Sequence, residues 1–81
     1  MDIHVHFYAQ LQNIAGTSDL SVNVPQGASV ADVLEKLYEL KPALRGHDKN
    51  ILIGSGVDFV ERNYVMTGDE ALAIMPPVQG G

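Results

Sequence analysis

Only one stretch of the chain sustains the helical period. Val30, Val33, Leu34, Leu37 and Leu40 recur at i, i+3, i+4 and i+7 spacing, so the pattern predicts one main helix over 30–40 with a single apolar stripe. Asp32, Glu35, Lys36 and Glu39 take the opposite side. Ser29 stands where an N-cap belongs, Asp32 lies near the positive end of the helix dipole, and Pro42 cannot continue the helix. Most of the remaining apolar residues alternate with polar ones. One helix covers one face of a sheet, so the other face is left for something outside the chain.

The alternation is clearest at the start, where Ile3, Val5 and Phe7 interleave with His4, His6 and Tyr8. This predicts a strand with the first set in the core and the second facing away. Leu11, Ile14 and Ala15 before Gly16 suit a short helical turn, and Leu20, Val22 and Val24, stopping at Pro25, form a second strand paired with the first. Pro25-Gln26-Gly27 is a turn signal. Arg45 to Asn50 is a polar connection. Ile51 to Ile53 and Val57 to Val60 are read as short strands around a Gly54-Ser55-Gly56 turn. After the Thr67-Gly68-Asp69-Glu70 turn, Ala71 to Met75 form an uncharged strand suited to the middle of a sheet, with Leu72 and Ile74 inward and Ala71, Ala73 and Met75 outward.

A chain of 81 residues holds one thin core; at this size folding buries about 60–65% of the exposed surface, which leaves no room for a deep private catalytic cavity. There is no cysteine to make disulfides, thiolate metal sites or a thiol nucleophile. The formal charge of −5 opposes nucleic acid and anionic lipid as partners. No apolar run approaches the length of a membrane helix, and Asp2 stands where a signal peptide carries a cation, which points to the cytoplasm.

The chemistry-bearing residues are sparse. His4 and His6 share a strand face, but no third ligand is visibly placed, so no metal is expected and both read as solvated histidines. Gly54-Ser55-Gly56 lacks the glycine spacing and following helix of a phosphate loop. Asp69 and Glu70 read as turn residues, and no nucleophile motif is evident. What remains is Met75-Pro76-Pro77-Val78-Gln79-Gly80-Gly81. Two prolines stiffen the exit from the sheet, Val78 is an apolar anchor, and six residues from Pro76 reach at most about 20 Å. Gly80 and Gly81 have no Cβ and fit a narrow channel. The Gly81 carboxylate is a nucleophile: attack on the α-phosphate of ATP yields an acyl-adenylate, and a sulfur nucleophile then displaces AMP to leave a thiocarboxylate.

The element order, the Thr67-Gly68-Asp69-Glu70 turn, the last strand, the Tyr8-Ala9-Gln10 segment, Gly16 and the Pro-Pro-Val-Gln-Gly-Gly tail resemble the MoaD-type small subunits of molybdopterin synthase over essentially the whole chain. The resemblance implies an α+β ubiquitin-like β-grasp fold: a mixed sheet of about five strands with one main helix on one face, residues 1–75 forming the domain and 76–81 an extended, flexible tail. It also implies that Gly81 is the acyl-adenylate and thiocarboxylate site, with Gly80 its slim neighbour. Tyr8, Phe59, Met75, Pro76, Pro77 and Val78 are the partner-binding residues it implies. The implied partners are an E1-like adenylyltransferase, which uses the ATP, a sulfur donor protein, and the large synthase subunit in a heterotetramer that sulfurates a cyclic pterin monophosphate. The chain binds no cofactor itself and is no enzyme alone. A thiazole-pathway sulfur carrier and a ubiquitin-like modifier joined through Gly81 to lysines are the competing readings. The Gly54-Ser55-Gly56 segment departs from the family pattern and leaves the strand register there open.

Overall fold

The alternation at the N-terminus becomes strand β1 (Asp2–Phe7), followed by α1 (Gln10–Ala15), β2 (Asp19–Asn23), α2 (Val30–Leu40), a 3₁₀ segment (Pro42–Asn50), β3 (Leu52–Ser55), β4 (Asp58–Phe59) and β5 (Ala71–Met75). The computed structural model describes residues 1–56, 58–68 and 70–77. Among them the strands form one sheet in the order β2-β1-β5-β3-β4, with β1 and β5 parallel and the other neighbours antiparallel. The expected mixed five-strand sheet is present, and β5 takes its centre.

Strand parity holds. Ile3, Val5, Phe7, Leu72 and Ile74 are buried against α2, whereas His4, His6, Tyr8, Ala71, Ala73 and Met75 lie on the uncovered face. Gly16 closes α1 at φ +77, a left-handed value that a glycine adopts without steric cost. Ser29 caps α2 in a capping box: the Asp32 N–H donates to Ser29 Oγ (3.3 Å) and the Ser29 N–H donates to Asp32 Oδ2 (3.0 Å).

The apolar stripe of α2 runs differently at its end from the sequence reading. Leu40 is 53% exposed and Tyr38 is 3% exposed. At 100° per residue both lie about 80° from Val30, on opposite edges of the stripe. The 3₁₀ segment packs over the Tyr38 edge and leaves the other to water. That segment was expected to be a polar connection; it is an ordered element anchored by buried Leu44. Its Asp48 accepts hydrogen bonds from the Tyr38 hydroxyl and from Arg62 Nη1 (2.7 Å), and its backbone carbonyl accepts a second bond from Arg62.

The glycine segment also differs. Gly54 and Ser55 belong to β3, in register Gly54↔Phe59 and Ser55↔Asp58 with β4, and the turn is made at Gly56, with φ +64. A Cβ at Gly54 would lie 3.3 Å from the terminal methyl of Met75. This glycine leaves space for a neighbour across the sheet. The strand expected from Val57 to Val60 is confined to Asp58–Phe59, and Val57 lies outside the described residues.

Beyond β4, Glu70 joins three segments by accepting hydrogen bonds from Ser55 Oγ (2.6 Å), the Tyr64 hydroxyl (2.8 Å) and Thr67 Oγ1 (3.0 Å). Its N–H donates to the Thr67 carbonyl (3.3 Å), closing the expected turn; Asp69 lies outside the described residues. Bonds from Tyr38 and then Arg62 hold the Asp48 carboxyl below its ordinary value of 3.8, and bonds from Ser55 and then Tyr64 hold Glu70 below 4.5. A depressed folded-state pKa stabilises the fold above the ordinary value, and that contribution is lost as pH falls through the lower folded value. The melting temperature should therefore hold above about pH 5 and fall below about pH 4, with a shallower fall in Asp48→Asn. A calorimetric series from neutral pH to pH 2 tests this; parallel curves for variant and parent would remove Asp48 from the account.

Candidate carrier face and tail exit

The uncovered face has a register that can be followed across every strand. Asp19 pairs with His6, His6 with Ala73, Ala73 with Gly54, and Gly54 with Phe59. Small residues thus occupy the middle of this row. Tyr8, Asp58, Phe59 and Met75 rise around Gly54 and Ala73, enclosing an open depression of about 270 Å³. Phe59 is 70% exposed, Tyr8 48%, and Met75 half-buried. The structure brings together here three of the six residues that the resemblance implies for partner contact, Tyr8, Phe59 and Met75. Sequence reasoning missed Gly54 and Ala73 as the floor, because a glycine beside Ser55-Gly56 carries the signature of a turn. Only the pairing register shows its place in a strand.

The tail leaves from the end of the central strand. The N–H of Tyr8 donates to the Ile74 carbonyl (3.1 Å), which extends the β1–β5 ladder to the last turn of the sheet. Pro76 is half-buried and Pro77 exposed, and both border a second depression with Gln10, Leu11, His47, Asn50 and Ile51. Neither proline has an N–H to donate, so β5 stops here. Met75 thus borders the first depression with Tyr8, and the two prolines that follow it border the second with Gln10 and Leu11. Val78, Gln79, Gly80 and Gly81 lie outside the described residues.

The histidine pair has a neighbour that spacing along the chain does not reveal. Asp19, opposite His6 on β2, places Oδ2 3.4 Å from His4 Nε2 and 4.0 Å from His6 Nδ1. The two imidazole rings are tilted, with centroids 4.6 Å apart. No described helix is long and apolar enough to cross a membrane.

The family model described as ThiS matches residues 5–81. This chain belongs to the ThiS family. The molybdopterin synthase sulfur carrier subunit of Drosophila yakuba is 32% identical to this ThiS-family chain over 85 residues, covering 100% of the chain and 92% of the relative. The protein of the same name from Chlamydomonas reinhardtii is 29% identical, with 100% of each chain covered. Among solved structures, SAMP1 from Haloferax volcanii, a small archaeal modifier protein, superposes with a TM-score of 0.89 at 26% identity over 100% of both chains. The ThiS-family chain has the ubiquitin-like β-grasp fold: five mixed strands, one main helix, and a free sheet face.

Proposed function

We propose that this chain is the sulfur carrier subunit of a molybdopterin synthase. The observation that carries this reading is the match, over the whole of its length, to relatives named as that subunit. Residues 1–75 form the docking body, and 76–81 are the donor arm. An E1-like adenylyltransferase binds and uses ATP; a Gly81 carboxylate oxygen attacks the α-phosphate, pyrophosphate leaves, and an acyl-adenylate forms. Sulfide-level sulfur handed over by a sulfur donor protein attacks the acyl carbon as the nucleophile and AMP departs, leaving the Gly81 thiocarboxylate. The arm enters the large subunit, where sulfur passes to cyclic pyranopterin monophosphate; two such transfers build the dithiolene. Gly80, with no Cβ, fits a narrow channel, Pro76 and Pro77 stiffen the arm, and Val78 is its apolar anchor. The reaction takes place in the cytoplasm, in a heterotetramer whose catalytic groups belong to the large subunit. Its pocket supplies lysine or arginine, because the precursor and the departing carboxylate are both anionic.

The test is mass spectrometric. Co-expression with the adenylyltransferase and a sulfur donor should convert the C-terminal carboxylate to a thiocarboxylate, and the loaded chain plus large subunit should turn over the pterin precursor. An unloaded chain after co-expression, or a loaded chain inert with the large subunit, would refute the assignment. The likeness to SAMP1 favours one second reading, a modifier whose Gly81 is joined to lysines; isopeptide-linked conjugates recovered from cells would establish it. The thiazole-pathway alternative predicts sulfur delivery to a thiazole precursor instead.

The docking part of the proposal makes its own prediction. Phe59→Asp should weaken association with the large subunit by at least about 1–2 kcal/mol, the loss expected when a charge replaces an aromatic at the dry centre of an interface. Its melting temperature should barely change, because the side chain is already 70% exposed. Met75→Asp should act in the same direction. Titration calorimetry against the large subunit decides, and unchanged affinity in both variants would move the interface off this face.

A further inference from the structure

We infer that His4, His6 and Asp19 form a binding site for one divalent transition-metal ion of the zinc type, on the free face of the sheet and independent of the carrier chemistry. One ligand atom from each of the three residues lies within 4.8 Å of the other two. In a tetrahedral site with metal–ligand bonds near 2.0–2.2 Å, donors stand about 3.3–3.6 Å apart. The observed separations from Asp19 Oδ2 are 3.4 Å to His4 Nε2 and 4.0 Å to His6 Nδ1, so small side-chain rotations bring the donors into range. All three side chains are between 41% and 50% exposed, which leaves those rotations free and an outward position for water as fourth ligand.

The scaffold favours such a site. His4 and His6 are fixed two residues apart on one face of β1, which pairs with a strand on each side, and Asp19 is held opposite His6 by the β2 register. Thr17 Oγ1 donates to the Asp19 carbonyl (2.8 Å) and steadies the start of β2. Ser21 Oγ lies 3.5 Å from His4 Nδ1. With Nδ1–H turned to that hydroxyl, the Nε2 lone pair is directed at the metal, the outer hydrogen bond that orients ligating histidines. Two imidazoles and one carboxylate select zinc-type ions over magnesium or calcium, which take oxygen donors. The chain's net charge of −5 raises the local concentration of cations. The ion stands at the β2 end of the row that finishes at Phe59, on the face where Tyr8 and Met75 also lie.

Zn²⁺ is titrated into the full chain, followed by calorimetry and by amide and imidazole NMR, with Co²⁺ absorption as a second probe. One ion should bind per chain, with shifts centred on His4, His6, Asp19 and Ser21, and Mg²⁺ at the same concentration should leave the spectrum unchanged. His6→Ala and Asp19→Asn should each lose more than about a hundredfold in affinity, and Ser21→Ala about tenfold, the low end for removal of an outer partner. His47→Ala, which removes the chain's remaining histidine, should bind as the parent does. None of the replaced side chains belongs to the hydrophobic core, and each variant's metal-free spectrum reports directly on its fold. Equal affinity in parent and His6→Ala, or loss of binding in His47→Ala, would overturn the assignment.

Discussion

Deleting Gly81, or adding residues after it, should abolish sulfur delivery while leaving the melting temperature unchanged. The chemistry on which the proposed function rests needs an α-carboxylate on a residue slim enough to reach the reacting pterin. Deletion shortens the arm by one residue, and extension buries the carboxylate in a peptide bond. Neither touches the described hydrophobic core, whose last member along the chain is Ile74. The effect should therefore be complete in activity and negligible in stability. Single-turnover assays with each variant, pre-incubated with the activating enzyme and then mixed with large subunit and precursor, measure the first part. Pterin sulfuration by either variant would mean that sulfur travels on another group.

The largest stability effect should come from Phe7→Ala. Phe7 is 1% exposed, pairs with Ile74 in the parallel β1–β5 ladder, and donates its N–H to the Ser18 carbonyl (2.8 Å). Truncating a buried phenylalanine costs about 3–5 kcal/mol, from lost transfer energy and the cavity left behind. A domain of 81 residues has only about 4–12 kcal/mol in total at typical values per residue. The variant should melt at least about 12 °C lower, since each kcal/mol shifts a domain of this size by roughly 4–8 °C. Leu40→Ala is the matched control: that side chain is 53% exposed and its loss should stay within about 0.5 kcal/mol. Urea unfolding of both variants decides the matter, and similar losses would contradict the placement of the core.

Much of this architecture was legible in local chemistry. Strand parity in Ile3 to Tyr8 and in Ala71 to Met75 reports burial directly, because a period of two leaves each side chain only two faces. Ser29, Asp32 and Pro42 marked the ends of α2, and the uncharged last strand marked the sheet centre. What stayed hidden depends on contacts between distant segments. Leu40 and Tyr38 sit on equivalent edges of the helix stripe, and only the packing of the 3₁₀ segment distinguishes them. Gly54 reads as a turn until its pairing with Ala73 and Phe59 is seen. Asp19 is 13 positions from His6 along the chain, and only the β1–β2 register sets them side by side. The Pro-Pro-Val-Gln-Gly-Gly segment was legible as residue types, while the place where it leaves the fold required the sheet order.

That sheet order ties the readiness of the arm to completion of the fold. The arm follows β5, and β5 lies between β1, the first strand made, and β3. A parallel pairing between the first and last strands closes a loop containing nearly the whole chain, and contacts of such long range are among the slowest to form. Until they form, nothing holds Met75 beside Tyr8. A copy in which this pairing has not formed therefore lacks the assembled free face next to the end of β5. Under the proposed function, the pairing of β1 with β5 thus makes the tail's point of departure and the free sheet face products of one and the same late step of folding.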